Sequence, residues 1–220
     1  MSTMARQSSL VKVVVGLAVL AVVAVLFLRS VRSTRAVPFA VERESLTGWT
    51  LVPQPRQDAL GSWLALSPPA QLAMSLGREV FRRGGESVSY PNPPLVPLLL
   101  QSEFERAFAG TVSPEEIVGL ARAAGFESAT WEPRCMGHRR VSEGSAPRGV
   151  YFVLLDAAPF DRFRQQLSER LRAAGRDPFL FDPAALSPVL IVAALDGQFG
   201  RWMPLRADPE TDCLAPVDVT

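Results

Sequence analysis

VYFVLL, residues Val150 to Leu155, is apolar at every position, and a second run of the same kind, VLIVAAL, occupies Val189 to Leu195. Runs this short with no polar face read as β-strands buried on both sides. Between them, Asp156 to Pro159 turns the chain into a helical pattern carrying Phe160, Phe163, Leu167 and Leu171, which ends at Gly175. Asp182-Pro183 opens one more short turn. The two strands are expected in one sheet under that helix, joined by a right-handed crossover.

Upstream, the signals alternate between helix and strand. Ser113-Pro114-Glu115-Glu116 supplies a cap, a first-turn proline and a glutamate at the third helical position, a capping box. Ile117, Leu120, Ala121 and Ala124 form its buried stripe and Gly125 its stop. The two carboxylates at this helix start are explained by the helix dipole without any acid–base chemistry. After Gly125 the period changes to two. Ala129, Trp131 and Cys135 alternate with Thr130, Glu132 and Arg134, and Pro133 predicts an edge or a bulge. Gly137 to Arg148 (GHRRVSEGSAPR) reads as a polar loop.

The C-terminal half thus reads α–β–β–α–β, an α+β pattern. It lacks one leading strand of a ferredoxin-like split βαβ layout, which Leu46–Val52 or Glu86–Tyr90 would have to supply. Residues 36–67 show no helical period, and Glu42–Val52 suits an extended segment or hairpin. Ser67-Pro68-Pro69 opens a helix that stops at Gly84-Gly85. Tyr90–Pro97 (YPNPPLVP) reads as a stiff connector, although Pro94 and Pro97 also match a PxxP ligand. From Leu98 to Ala109, Leu100, Phe104 and Phe108 repeat at the helical spacing of four.

The first 35 residues are different in kind. They hold Arg6, Lys12, Arg29, Arg32 and Arg35 and no acid, whereas the rest carries 18 arginines against 22 acids, a balance of −4. That acidic body argues against a nucleic-acid-binding protein. Val13 to Leu28 is 16 consecutive apolar or glycine residues. Residues 10–28 as a helix match the ~30 Å hydrocarbon core of a bilayer, with Lys12 near one end where it can snorkel. A cleaved signal peptide would have a shorter apolar region and a close small-residue cleavage site. Here RSVRSTR follows, and Thr34-Arg35-Ala36 is the nearest candidate. The pattern favours a signal-anchor helix. Basic residues flank it equally, so the positive-inside rule does not orient it. A short tail before a single anchor and a large domain places the tail in the cytoplasm and the domain outside. The ratio of 22 arginines to one lysine points to a GC-rich genome. A bacterial inner membrane is the simplest setting.

The expected organisation is therefore a cytoplasmic tail (1–9), a transmembrane helix (10–28), a juxtamembrane and extended segment (29–67), a helical region (68–110) and an α+β domain (111–220). The expected partners are the lipid bilayer, through residues 10–28, and an envelope protein.

Candidate chemistry is sparse. His138 is the sole histidine, sits in the polar loop and has no GxSxG elbow to serve. Cys135 and His138 form a C-x-x-H pair, too few ligands for structural zinc even with Cys213 added. Asp208, Glu210 and Asp212 alternate like calcium ligands, but Cys213 stands where the loop requires glycine. No nucleotide-binding glycine motif occurs, and the reading includes no cofactor, metal or catalytic residue. Cys135 and Cys213, the two cysteines of the chain, are expected to form a disulfide in an oxidising compartment. His138, Arg139, Arg140 and Arg148 are the candidate anion-binding cluster, although a solvated loop whose arginines offset Glu132 and Glu143 is the better explanation. The leading expectation is an anchored binding or assembly module of the cell envelope. The alternative is an anchored hydrolase or transferase with a carboxylate-based site.

Overall fold

The computed structural model describes residues 20–25, 37–56, 58–141, 148–156 and 158–220. The chain divides into two units, residues 1–37 and Pro38–Thr220. In the first, residues 20–25 are helical and Leu20, Val22, Val23 and Val25 are exposed. The rest of the expected tail and anchor lies outside the described residues. Among those described, no helix is long and apolar enough to cross a membrane.

Pro38–Thr220 is a mixed α+β unit with three sheets among its described residues. Its strands are β1 (Phe39–Val41), β2 (Thr50–Pro53), β3 (Ser62–Ser67), β4 (Val96–Leu100), β5 (Glu132–Val141), β6 (Arg148–Asp156), β7 (Val189–Ala194), β8 (Cys213–Ala215) and β9 (Val217–Val219). Its longer helices are α1 (Ala70–Gly84), α2 (Pro114–Ala124) and α3 (Ala158–Ala173).

The principal sheet runs β7-β6-β5-β8, and every neighbouring pair is antiparallel. Its centre is the apolar run that the sequence marks as buried. Val150 to Leu154 face Ala194 to Val189 across the ladder, and every residue of β7 is buried. The two strands do share one sheet, but they are adjacent and antiparallel. Leu155 N–H donates to Pro188 O at 3.0 Å, so β7 begins where β6 ends. The segment 174–188 carries the chain back along α3, and the handedness rule for parallel crossovers does not apply. No strand stands between β6 and β7, so the expected split βαβ order is not formed. Neither proposed leading strand is available for it. Thr50–Pro53 belongs to a second sheet, β2-β3-β4, and Ser89 makes an isolated bridge to Ala194 at the outer edge of β7.

Three other expectations are corrected. His138, Arg139 and Arg140 are not in a loop; β5 continues to Val141 and pairs back onto Arg148. Alternating polar and apolar side chains on a half-exposed strand resemble loop composition when the apolar members are few. Val96–Leu100 is a strand, which takes in the end of the expected connector and the start of the helix expected from Leu98, and helical structure begins at Gln101. Val96 to Leu99 are wholly buried, and burial on both faces hides the period that separates helix from strand. Ser67 pairs with Thr50 in the ladder instead of capping α1, whose N-cap is Pro69.

The Ser113 cap and Gly125 stop of α2 and the proline of β5 are read correctly, but the reciprocal arm of the capping box is not formed, because the Glu116 carboxylate pairs with Arg170. Ser113 Oγ accepts from Glu116 N–H at 3.2 Å, Gly125 closes the helix at φ 85°, and the β5–β6 register shifts between Pro133 and Cys135. Trp131 stacks on Trp49 at 4.8 Å, and Phe126 meets Phe163 edge-on at 5.5 Å, which joins α2, α3 and the N-terminal segment in one core. The third sheet is a parallel ribbon of β1 and β9, with Phe39 opposite Val217 and Val41 opposite Val219.

Candidate functional site

The residues singled out from the sequence do not converge on one anion. Side chains alternate along β5, and the structure sends the arginines to different partners. Arg139 donates to Asp212 at 2.9 Å. Arg140 pairs with Glu86, which also accepts from Tyr151 Oη at 3.3 Å, and His138 stacks on the Tyr151 ring at 4.1 Å. Burial raises the Tyr151 hydroxyl above its ordinary value, and the Glu86 carboxylate raises it further. Arg148 stands beside Asp196. Burial pushes the Asp196 carboxyl upward, but the Trp202 indole N–H at 2.8 Å, the Gln198 N–H and the Arg148 charge together hold it below its ordinary value. The cluster is thus a set of charge-compensated pairs fixing the sheet. Cys135 and Cys213 are bonded, with Cα atoms 5.7 Å apart, beside the β5–β8 pairing of Gly137 with Cys213.

A more telling arrangement lies around Gln101–Phe108. A helical turn, Gln101–Glu103, runs directly into a π-helical turn, Phe104–Phe108. Such turns are rare and are enriched at functional positions. Phe104 stacks on Trp63 at 4.2 Å, Phe108 meets Phe181 edge-on at 5.1 Å, and Arg106 Nε donates to Leu180 O at 3.0 Å. One five-residue turn therefore braces two surface features.

The first is a shallow groove of about 530 Å³ lined by Pro53, Gln54, Trp63, Pro114, Glu115, Val118 and Arg122. Its lining combines two prolines, a tryptophan and a valine with Gln54, Glu115 and Arg122. Small-molecule pockets enclose most of their ligand; an open groove of this lining suits a protein segment. The neighbouring edge of β2 is closed to strand addition, because Leu51 N–H donates to Glu127 and Pro53 has no N–H to offer.

The second is Phe179, which is 95% exposed although both its neighbours in the turn are held. Asp177 Oδ1 accepts the Phe179 N–H at 2.9 Å, Arg106 fixes Leu180 O, and Phe181 is buried. The ring is held out on an ordered turn.

Beneath both features is a buried ion pair. Arg164 is fully buried and meets Glu103 through Nη2–Oε1 at 2.6 Å and Nη1–Oε2 at 3.2 Å. Its remaining donors reach Pro183 O (2.8 Å), Asp182 O (2.9 Å) and Leu98 O (3.2 Å). Its guanidinium lies 4.6 Å from the Phe181 ring centre. Glu103 Oε2 also accepts the Leu100 N–H at 3.0 Å. One side chain on α3 therefore ties β4, the turn at Glu103 and the loop that presents Phe179. The carboxylate accepts three hydrogen bonds there, two of them from the guanidinium, which is a structural role.

No family model, curated protein or solved structure matches the chain.

Phe104 and Phe108 stand out in the sequence as a helical repeat, but Phe179 and Arg164 do not. Asp177-Pro178-Phe179 is a turn signal with an aromatic at its tip, and that pairing was the available clue. Arg164 was not findable as a buried residue, since it lies in a helix rich in exposed arginines.

Proposed function

We propose that the chain is a membrane-anchored binding or assembly module of a bacterial cell envelope, and that it engages a protein partner around Phe179 and the groove braced by Phe104–Phe108. The observation that carries this reading is the 95% exposure of Phe179 on a turn ordered from both sides. A large apolar ring held in water has no folding benefit, whereas aromatic anchors presented with little conformational freedom dominate protein interfaces. The anchor is supported by the charge-free run Val13 to Leu28. Placement of the domain outside the cytoplasm is supported by the Cys135–Cys213 bond, because such bonds persist in oxidising compartments.

The test uses the full chain in its native membranes with a photoreactive phenylalanine analogue at position 179. A discrete cross-linked protein, lost when the unlabelled chain competes but retained when a Phe179→Ala competitor is used, supports the reading. Uniform smearing, or equal competition by Phe179→Ala, overturns it. A chain starting near residue 36 in the soluble fraction overturns the anchor.

A further inference from the structure

The outer face of α1 has a composition that its own fold does not use. Leu72, Leu76 and Val80 are buried in the core, while Met74 and Phe81 are each 50% exposed and Arg78 and Arg82 lie exposed beside them. At 100° per residue these four fall within about 100° of the helix circumference, in the order Phe81, Met74, Arg78, Arg82, so an apolar strip is flanked on one side by a basic one. The acid of the helix, Glu79, is engaged by Arg83. An exposed strip of large apolar residues flanked by arginines, without a competing carboxylate, is the pattern of a helix lying in a membrane–water interface.

The helix is also tied to the right end of the chain. Arg83 Nη2 donates to Pro38 O at 2.6 Å, and its guanidinium covers the Phe39 ring at 3.8 Å. Pro38 and Phe39 are where the chain enters the folded unit. Ten residue steps separate Leu28 from Pro38, a tether of at most about 35 Å when fully extended. That tether carries Arg29, Arg32 and Arg35 and no acid, so it favours the same anionic surroundings as Arg78 and Arg82.

We infer that this face of α1 rests on the anionic headgroup surface of the bilayer, with Met74 and Phe81 below the phosphates and Arg78 and Arg82 level with them. The inference rests on the anchored reading above and specifies which face of the folded unit meets the lipid.

The full chain is reconstituted in nanodiscs of phosphatidylcholine alone, or of phosphatidylcholine with phosphatidylglycerol, with a photoreactive analogue replacing Phe81. Lipid adducts are expected at position 81 in the phosphatidylglycerol discs. Arg78→Gln or Arg82→Gln should each lower their yield by about fivefold, the contribution of one arginine near an anionic surface. High salt should lower it as well. Adducts to a second copy of the chain, no adducts, or equal yields in the two lipid mixtures overturn the inference. An alkaline wash of the same samples separates the two readings. A chain that washes off fails as an anchored protein, and one that stays while position 81 gives no lipid adduct fails only here.

Discussion

Arg164 and Glu103 meet through two parallel hydrogen bonds in the interior of the folded unit, and the arginine spends its other donors on three backbone carbonyls. Removing either partner strands the other without water. Arg164→Met should cost about 5 kcal/mol and Glu103→Gln about 3 kcal/mol, since glutamine keeps one acceptor for the guanidinium. Urea unfolding followed by circular dichroism checks both. A loss below about 1 kcal/mol for Arg164→Met would contradict the clamp.

Phe179 and Phe181 are two residues apart and oppositely placed, one 95% and the other 2% exposed. Phe181→Ala removes a ring packed on Phe108 and Arg164 and should destabilise by about 3–5 kcal/mol. Phe179→Ala should stay within about 0.5 kcal/mol of the parent while abolishing the cross-link described above. Thermal melts of the pair give the comparison.

The Cys135–Cys213 bond spans 78 residues. Closing a loop of that size confines the unfolded chain and contributes roughly 4–5 kcal/mol in the chain-entropy picture, an upper figure. Denatured protein prepared under alkylating conditions without reductant should show no free thiol. Reduction should lower the urea midpoint, and Cys135→Ser with Cys213→Ser should lower it to the same place.

Two groups set opposite ends of the pH profile. Tyr151 is raised above 10.0 by burial and then by Glu86, so the native state holds its proton more tightly than the unfolded chain. That contribution is intact below about pH 10 and is lost as pH rises through the folded-state value. Asp196 is lowered below 3.8, so its contribution is intact above about pH 4 and is lost as pH falls through the folded-state value. Tyr151→Phe should flatten the alkaline limb and Asp196→Asn the acid limb of midpoint against pH. Unchanged limbs would remove these assignments.

How much of this is legible in the sequence depends on whether a signal is local. Ser113 and Gly125 announce the ends of α2 through backbone chemistry within a few residues, and Pro133 announces a bulge by lacking an N–H. The runs at Val150 and Val189 announce burial by having no polar face. Direction and adjacency are not local. Whether β7 runs with or against β6 is decided by where segment 174–188 returns the chain, and nothing in VLIVAAL encodes that. Composition also misled at His138 to Arg140, where a strand's exposed face has the residues of a loop. For Arg164, the environment that makes it important is assembled from Leu98, Glu103, Asp182 and Pro183, which are distant in sequence.

The ribbon of β1 and β9 constrains the order of events during synthesis. Phe39 finds its partner at Val217, 178 positions later. At translation rates of about 5–20 residues per second, β1 leaves the ribosome roughly ten to thirty-five seconds before β9 exists. During that interval the Phe39 ring can meet Arg83 but has no strand to pair with, so the edge facing β9 stays open on a nascent chain. The folded unit is completed only when its C-terminal strand arrives, and a message truncated before Val217 would leave that seam unclosed.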